Sequence, residues 1–186
     1  MEQVGEGWAR GELPIRGERA ASREVSETIY ALLDQATSGA RTPARPTAVV
    51  ATVEPDQHVL GSLLVRLMLV QRGWRVEHLG TGLPVAEIVA AQKAAGASLV
   101  CVSFTPPRGS ADVRRFVDVA GRLADPCSPY SLALGGGGVR GVDLCGCEWP
   151  FGAPAVLDSL AEFGQWLDRH ADLPTPPIPA ATDSHA

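Results

Sequence analysis

Residues 47–61 read TAVVATVEPDQHVLG and decide the fold of this chain. The first seven, 47–53, are small, apolar and β-branched residues, which predict a strand buried on both faces. The segment 59–71 is apolar around most of its circumference and stops before Gly73, which predicts a helix. A buried strand followed at once by a helix is the repeating unit of a parallel sheet.

The same alternation continues along the chain. Further strands are predicted over 75–79, 98–104 and 131–134, with a weaker fifth near 142–147, and further helices over 84–95, 110–123 and 154–170. A turn is expected at 80–82. Because crossovers between parallel strands are right-handed, the pattern predicts an α/β fold, a flavodoxin-like (Rossmann-type), doubly wound, five-stranded parallel sheet. The strand order common for this fold is 2-1-3-4-5.

Three segments flank or precede this alternation. Apolar residues at helical spacing predict a helix from Glu18 to about Gln35. The segment 37–46 holds two prolines, a glycine and no periodicity, which is typical of a linker. The end of the chain, 171–186, is rich in proline and small residues and is predicted to be disordered.

Composition excludes several classes of function. The chain of 186 residues has 16 Lys and Arg against 21 Asp and Glu and no basic cluster, so direct nucleic-acid binding is not expected. No apolar run approaches the roughly 20 residues of a membrane span. The start of the chain lacks the pattern of a secretory signal, so we expect a cytoplasmic protein whose four cysteines stay reduced.

Polar and small residues gather where the predicted strands end. Asp56 and His58 follow the first strand, Gly61 opens the next helix, Ser103 ends the third strand and glycines 135–138 follow the fourth. Neighbouring parallel strands end at one edge of the sheet, so these residues are expected to line one slot. A carboxylate near a histidine holds one ring nitrogen protonated and leaves the other for a metal. The alternatives are an ordinary surface histidine and a flexible glycine turn.

The pattern Asp56-x-His58-x-x-Gly61, followed by Ser103 and then Gly135-Gly136, resembles the cobalamin (vitamin B12) binding domain family. The resemblance covers about residues 46–170. Thr105 departs from it, because the family has leucine two residues after the serine, and this loosens the apolar lining of the slot.

The resemblance implies a role for each residue. His58 would be the lower axial ligand of cobalt, in the base-off/His-on form, and Asp56 would fix its tautomer. The displaced nucleotide tail would enter a slot, and a bulky residue at Gly136 is expected to block that slot without unfolding the protein. The implied cofactor is adenosyl-, methyl- or hydroxocobalamin, and the cofactor-binding residues are Asp56, Gln57, His58, Val59, Leu60, Gly61, Ser103, Thr105, Gly135, Gly136 and Gly137.

A weaker resemblance lies at the start of the chain. Trp8 and Glu18 match the spacing of a Trp-x9-Glu-His motif found in light-sensing B12 regulators, with Arg19 at the histidine position. Residues 1–36 would then be a truncated helical cap in front of the cobalamin-binding domain, 47–170. Trp8 and Glu18 are added to the cofactor-binding residues on this ground.

These observations leave three functions open. The first is a sensor or regulatory module, light-responsive by resemblance, that acts through a partner protein or self-association and has no catalytic residue of its own. The second is a corrinoid methyl carrier or small mutase subunit that works with a separate catalytic partner. The third is a flavodoxin-like signalling domain without a metal.

Overall fold

The computed structural model describes residues 15–37 and 46–170, which fall into two units divided between residues 40 and 41. Residues 38–45 of the predicted linker and the predicted tail lie outside the described residues. In the first unit, helix α1 (Ile15–Thr37) extends the predicted helix at both ends. No helix in the described ranges is long and apolar enough to cross a membrane.

The second unit alternates strands and helices, as predicted. In chain order the elements are β1 (Thr47–Val53), α2 (Leu60–Gln71), β2 (Arg75–Leu83), α3 (Val85–Ala95), β3 (Leu99–Ser103), α4 (Ser110–Leu123), β4 (Ser131–Gly135), a 3-10 turn (Gly137–Val139), β5 (Ala155–Leu157) and α5 (Leu160–Arg169). The sheet is parallel, in the order β2-β1-β3-β4-β5. The predicted doubly wound, flavodoxin-like fold is therefore confirmed.

The helices divide between the two faces of the sheet. Side chains from α3 and α4, among them Ile88 and Phe116, pack on one face against Val49 and Val100. Side chains from α2 and α5 pack on the other face with Val50 and Cys101. Consecutive strand residues point to opposite faces, so each apolar strand supplies both cores.

The prediction for the fifth strand is wrong. Residues 142–147 form turns, since the Asp143 carboxylate accepts a hydrogen bond from the Cys145 N–H at 2.8 Å and Gly146 has φ +83°. The edge strand is Ala155–Leu157, a segment that the sequence pattern places in the last helix. That helix begins only at Leu160, because the Ser159 hydroxyl caps it by accepting a bond from the Glu162 N–H at 3.2 Å.

The predicted turn at 80–82 is also wrong, because β2 runs on through it to Leu83. Gly80 and Gly82 have φ of +90° and +71°, a conformation that suits glycine. The pairing between β1 and β2 shifts register twice along this stretch, between Val50 and Ala51 and between Ala51 and Val53. β2 is longer than predicted because its end is bulged, and the alternation of apolar and polar residues along a strand does not reveal a bulge.

Candidate functional site

The loop after β1 combines a buried carboxylate with an exposed imidazole. The Asp56 side chain is 3% exposed and that of His58 is 70% exposed. Oδ1 of Asp56 lies 2.7 Å from Nδ1 of His58 and also accepts the His58 main-chain N–H at 3.0 Å. A carboxylate at this distance favours the proton on Nδ1 and leaves a lone pair on Nε2, as a metal ligand needs.

The Asp56 carboxylate is also held from the neighbouring strand. Its second oxygen, Oδ2, accepts the main-chain N–H of Thr105 at 2.8 Å. Burial raises the pKa of Asp56, but hydrogen bonds from His58 and Thr105 outweigh it and hold that pKa below its usual range. Asp56 is thus a fixed, ionised acceptor that ties the His58 loop to the end of β3.

An open cleft lies beside this loop, between α2, α5 and the carboxyl ends of β3, β4 and β5. The empty space in and above it amounts to about 610 Å³, part of which is open solvent. Most of its lining is apolar or small, and the residues are Val50, Ala51, Gly61, Ser62, Val65, Cys101, Val102, Ser103, Ala133, Leu134, Gly135, Gly136, Leu157, Asp158, Ser159, Leu160 and Phe163. The predicted slot residues Gly61, Ser103, Gly135 and Gly136 therefore meet in one cavity.

The mouth of the cleft stays open because its residues lack bulk. A Cβ at Gly61 would lie 3.3 Å from the Ser103 hydroxyl, and one at Gly135 would lie 3.4 Å from the Leu157 carbonyl oxygen. Within the described ranges the Ser103 hydroxyl has no hydrogen-bond partner, so it remains available to a ligand. Gly61 and Ser103 together form a cradle that larger side chains would fill.

Gly136 has a second, structural requirement, which corrects one expectation. Its φ is +95°, and a Cβ there would lie 2.5 Å from the carbonyl oxygen of Phe104. A bulky residue at Gly136 would therefore strain the backbone before it reached the cleft, so such a variant would not change the slot alone. Gly137 does not line the cleft, and a Cβ there would meet the Pro106 ring at 3.2 Å.

The other predicted residues lie around the His58 loop or outside the description. The Gln57 amide oxygen accepts a hydrogen bond from the Thr81 hydroxyl at 3.1 Å. Val59 caps α2, and Leu60 begins it. Trp8 lies outside the described residues. Glu18 lies in α1, but its side chain is not among those described.

Sequence reasoning missed the α5 side of the cleft. Leu157, Asp158, Leu160 and Phe163 line it, and the sequence predicts none of them as a site residue. Assigning 154–170 to one helix hid the strand end that carries several of them. The Ser159-x-x-Glu162 spacing, a helix-start pattern, is the signal that would have revealed it.

Comparison with known proteins gives two curated relatives. The HTH-type transcriptional repressor CarA of Myxococcus xanthus is 30% identical over 128 residues, 69% of this chain and 42% of the relative. Dimethylamine corrinoid protein 2 of Methanosarcina mazei is 29% identical over 103 residues, 55% and 48% of the two chains. The chain thus spans less than half the length of either relative, and no family model matches it.

Solved structures share the fold. The monomethylamine corrinoid protein of Methanosarcina barkeri aligns at TM-score 0.65 and 17% identity, over 91% of this chain and 77% of its own. A cobalamin-binding protein of Desulfitobacterium hafniense DCB-2 aligns at TM-score 0.51 and 24% identity, over 89% and 75%. The chain therefore shares its α/β fold with corrinoid and cobalamin-binding proteins. Residues 46–170 carry this fold, and the cleft lies at the strand ends.

Proposed function

We propose that the chain binds cobalamin in the base-off/His-on form, with His58 as the lower axial ligand of cobalt. The observation that carries the proposal is the exposed His58 ring, held 2.7 Å from the buried Asp56, beside an open cleft. The residues fit the group: an imidazole with one nitrogen anchored adjoins a glycine-lined slot with room for a nucleotide tail.

The chain's own residues would divide the work of holding this cofactor. Asp56 keeps the proton on Nδ1 of His58, so that Nε2 can donate its lone pair. Gly61 and Gly135 leave space for the tail, and the free Ser103 hydroxyl is placed to hydrogen-bond it. When bound, an alkylcobalamin would supply a cobalt–carbon bond that light can break, or that breaks when its alkyl group is transferred to an acceptor.

The function we favour is a sensor or regulatory module acting through a partner protein or self-association. Support comes from the similarity to a transcriptional repressor, CarA, over 128 residues. It also comes from the Trp8 and Glu18 spacing, which makes 1–36 a partial helical cap in this proposal. Light response belongs to the same proposal.

The second candidate is a corrinoid methyl carrier that works with a methyltransferase partner. One support is the match to a dimethylamine corrinoid protein. The other is the likeness to a methanol:cobalamin methyltransferase complex, MtaBC of Methanosarcina barkeri. That structure aligns at TM-score 0.57 and 19% identity, over 92% of this chain and 63% of its own. The exposed His58 ring suits this candidate as well as a sensor.

The test of cobalamin binding is the absorption spectrum of the purified protein with hydroxocobalamin. His58→Ala should lose the His-on spectrum and bind more weakly, while keeping part of its affinity through the tail. Asp56→Asn should lose about 10- to 100-fold in affinity, as changes to a ligand's supporting residue do. His170→Ala, which alters an exposed histidine at the end of α5, is the matched control. An unchanged spectrum in His58→Ala would disprove the ligand assignment.

Illumination separates the two candidate functions. A sensor should change its spectrum and its association state after light acts on the adenosylcobalamin form, whereas a carrier should exchange methyl groups with a methyltransferase in the dark. Arg19 has no free lone pair for cobalt, so the illuminated sensor should end with water or hydroxide as upper ligand. A bis-histidine spectrum would contradict this reading of the cap.

A further inference from the structure

The His58 loop is fastened on two sides by the strands that flank β1. On the β3 side, Asp56 accepts the Thr105 N–H at 2.8 Å. On the β2 side, the Glu54 N–H donates to the Leu83 carbonyl at 3.0 Å. The two fastenings lie at different points of the loop, so the backbone between them is constrained from both directions.

The bulged end of β2 adds a side-chain contact on the second side. The Thr81 hydroxyl donates to the Gln57 amide oxygen at 3.1 Å. A Cβ on Gly82 would collide with the amide nitrogen of the same Gln57 side chain. The Gln57 amide therefore lies beside the Thr81 hydroxyl, in the space that the missing side chain of Gly82 leaves. We call this arrangement of Gln57, Thr81 and Gly82 the Gln57 clasp.

Gln57 sits between the two residues that the proposed cobalt site depends on. Because it precedes His58 directly in the chain, fixing its side chain limits the backbone positions open to His58. The hydrogen bond is exposed, and an exposed bond contributes little to the free energy of unfolding. Its principal effect is on the geometry of the loop.

We propose that Thr81 and Gly82 are positioning residues for His58 and act through Gln57 to hold the imidazole where it ligates cobalt. The inference rests on the proposed cobalamin binding and adds to it a contact from β2 that no ligand residue provides. A loop fixed before the ligand arrives loses less conformational entropy on binding, so the clasp should raise affinity.

The first experiment removes the hydroxyl without changing the side-chain shape. Thr81→Val should weaken hydroxocobalamin binding by about 2- to 10-fold, the usual value of one hydrogen bond, and lower the His-on fraction of the spectrum. Thr81→Ser keeps the hydroxyl and should restore both. The ¹⁵N-histidine NMR spectrum of the cofactor-free protein gives a second readout, since the His58 signal should broaden or move in Thr81→Val but not in Thr81→Ser.

The second experiment uses two glycines of one strand end as a matched pair. Gly80 and Gly82 both have positive φ, but a Cβ on Gly80 meets nothing within 4 Å, whereas one on Gly82 meets Gln57. Gly82→Ala should therefore weaken hydroxocobalamin binding more than Gly80→Ala does. In the double variant Gln57→Ala with Gly82→Ala the collision is absent. The loss of affinity caused by Gly82→Ala should therefore be smaller when it is measured relative to Gln57→Ala than when it is measured relative to the unmodified protein.

The outcomes distinguish this inference from the function it rests on. The first case is a His-on spectrum in the unmodified protein. If Thr81→Val then has the same affinity, absorption spectrum and NMR spectrum, and Gly82→Ala binds hydroxocobalamin as tightly as Gly80→Ala, the clasp is overturned. If the unmodified protein does not bind hydroxocobalamin but the His58 NMR signal still responds to Thr81→Val, the clasp is supported and the proposed function is overturned.

Discussion

One sheet has two differently built faces at the carboxyl end of β3. Ser103 points into the open cleft, while the next residue, Phe104, is buried on the other face and packs edge-on against Phe116 at a ring-centroid distance of 5.6 Å. The face under α3 and α4 is filled by large residues. The face under α2 and α5 has glycine and serine at the corresponding height.

The difference shows that the backbone fold does not decide where a cleft forms. Both faces are covered by two helices, and both receive side chains from the same strands. What differs is side-chain volume at the mouth, where Gly61 and Gly135 meet Ser103 on one face. Close-packed interiors tolerate few voids, so a cleft of this size requires small residues on several elements at once.

The largest expected effect tests whether the closed face carries the stability. Phe116→Ala should lower the free energy of unfolding by about 3–5 kcal/mol, because it leaves a closed cavity among packed side chains. Phe163→Ala, on the open face, should cost about 1–2 kcal/mol less, since water can enter the space that the ring leaves. Urea unfolding of both variants measures the difference. Equal losses would mean that the two faces are packed alike.

The next effect tests whether the open face is built for a ligand. Gly61→Leu should weaken hydroxocobalamin binding by about 10- to 100-fold, in line with the cost of overpacking a filled site. The free protein should keep its stability or gain up to about 1 kcal/mol, because leucine is a better helix former than glycine.

Gln71→Leu places the same side chain at the exposed end of the same helix and serves as the control. It should leave both affinity and stability close to those of the unmodified protein. Gly61 has no positive φ and its nearest contact is a hydroxyl, so it is a cleaner position for this test than Gly136. If Gly61→Leu binds as tightly as the unmodified protein, the ligand tail does not use this cleft.

The smallest effect concerns His78, whose Nε2 lies within hydrogen-bonding distance, 3.0 Å, of the Ser62 hydroxyl of α2. Burial, with a contribution from the Arg66 charge, lowers the pKa of His78 to about 4. In the unfolded chain His78 therefore becomes protonated near pH 6.5, whereas in the folded chain it becomes protonated only near pH 4. Stability should be full above pH 6.5 and fall as the pH drops from 6.5 to 4.

The expected loss is about 1–2 kcal/mol, after allowing for solvent screening of a partly exposed group. Urea unfolding at pH 7.5 and pH 4.5 measures it. His78→Gln keeps a hydrogen-bonding side chain without a titrating ring, so its stability should fall less over the same interval. A parallel fall in both proteins would assign the pH dependence to other groups.

Sequence reasoning succeeded where a local pattern has one structural outcome. The buried runs at 47–53 and 98–104 indicate strands of a covered parallel sheet, and the observed order β2-β1-β3-β4-β5 is the one common for this fold. The same logic brought Gly61, Ser103, Gly135 and Gly136 to one sheet edge, where the structure places them around the cleft.

It failed where the outcome depends on residues distant in the chain. Ala155–Leu157 is a strand only because β4 offers it a pairing edge, and the segment taken alone continues the apolar pattern of α5. The bulged end of β2 likewise depends on pairing with β1. Short segments with weak intrinsic preference take the structure that their neighbours impose.

By itself the sequence determined the parallel sheet, the helices between its first four strands and the Asp56–His58 pair, because periodicity and spacing along the chain act over a few residues. Only the tertiary structure decided that Leu160 and Phe163 close one side of the cleft, that Gly136 is required by the Phe104 carbonyl, and that Thr81 reaches Gln57. These contacts join residues that are 24 or more positions apart, or follow from a backbone path that the pattern misassigned. Their energies depend on distance in space, which spacing in the chain does not specify.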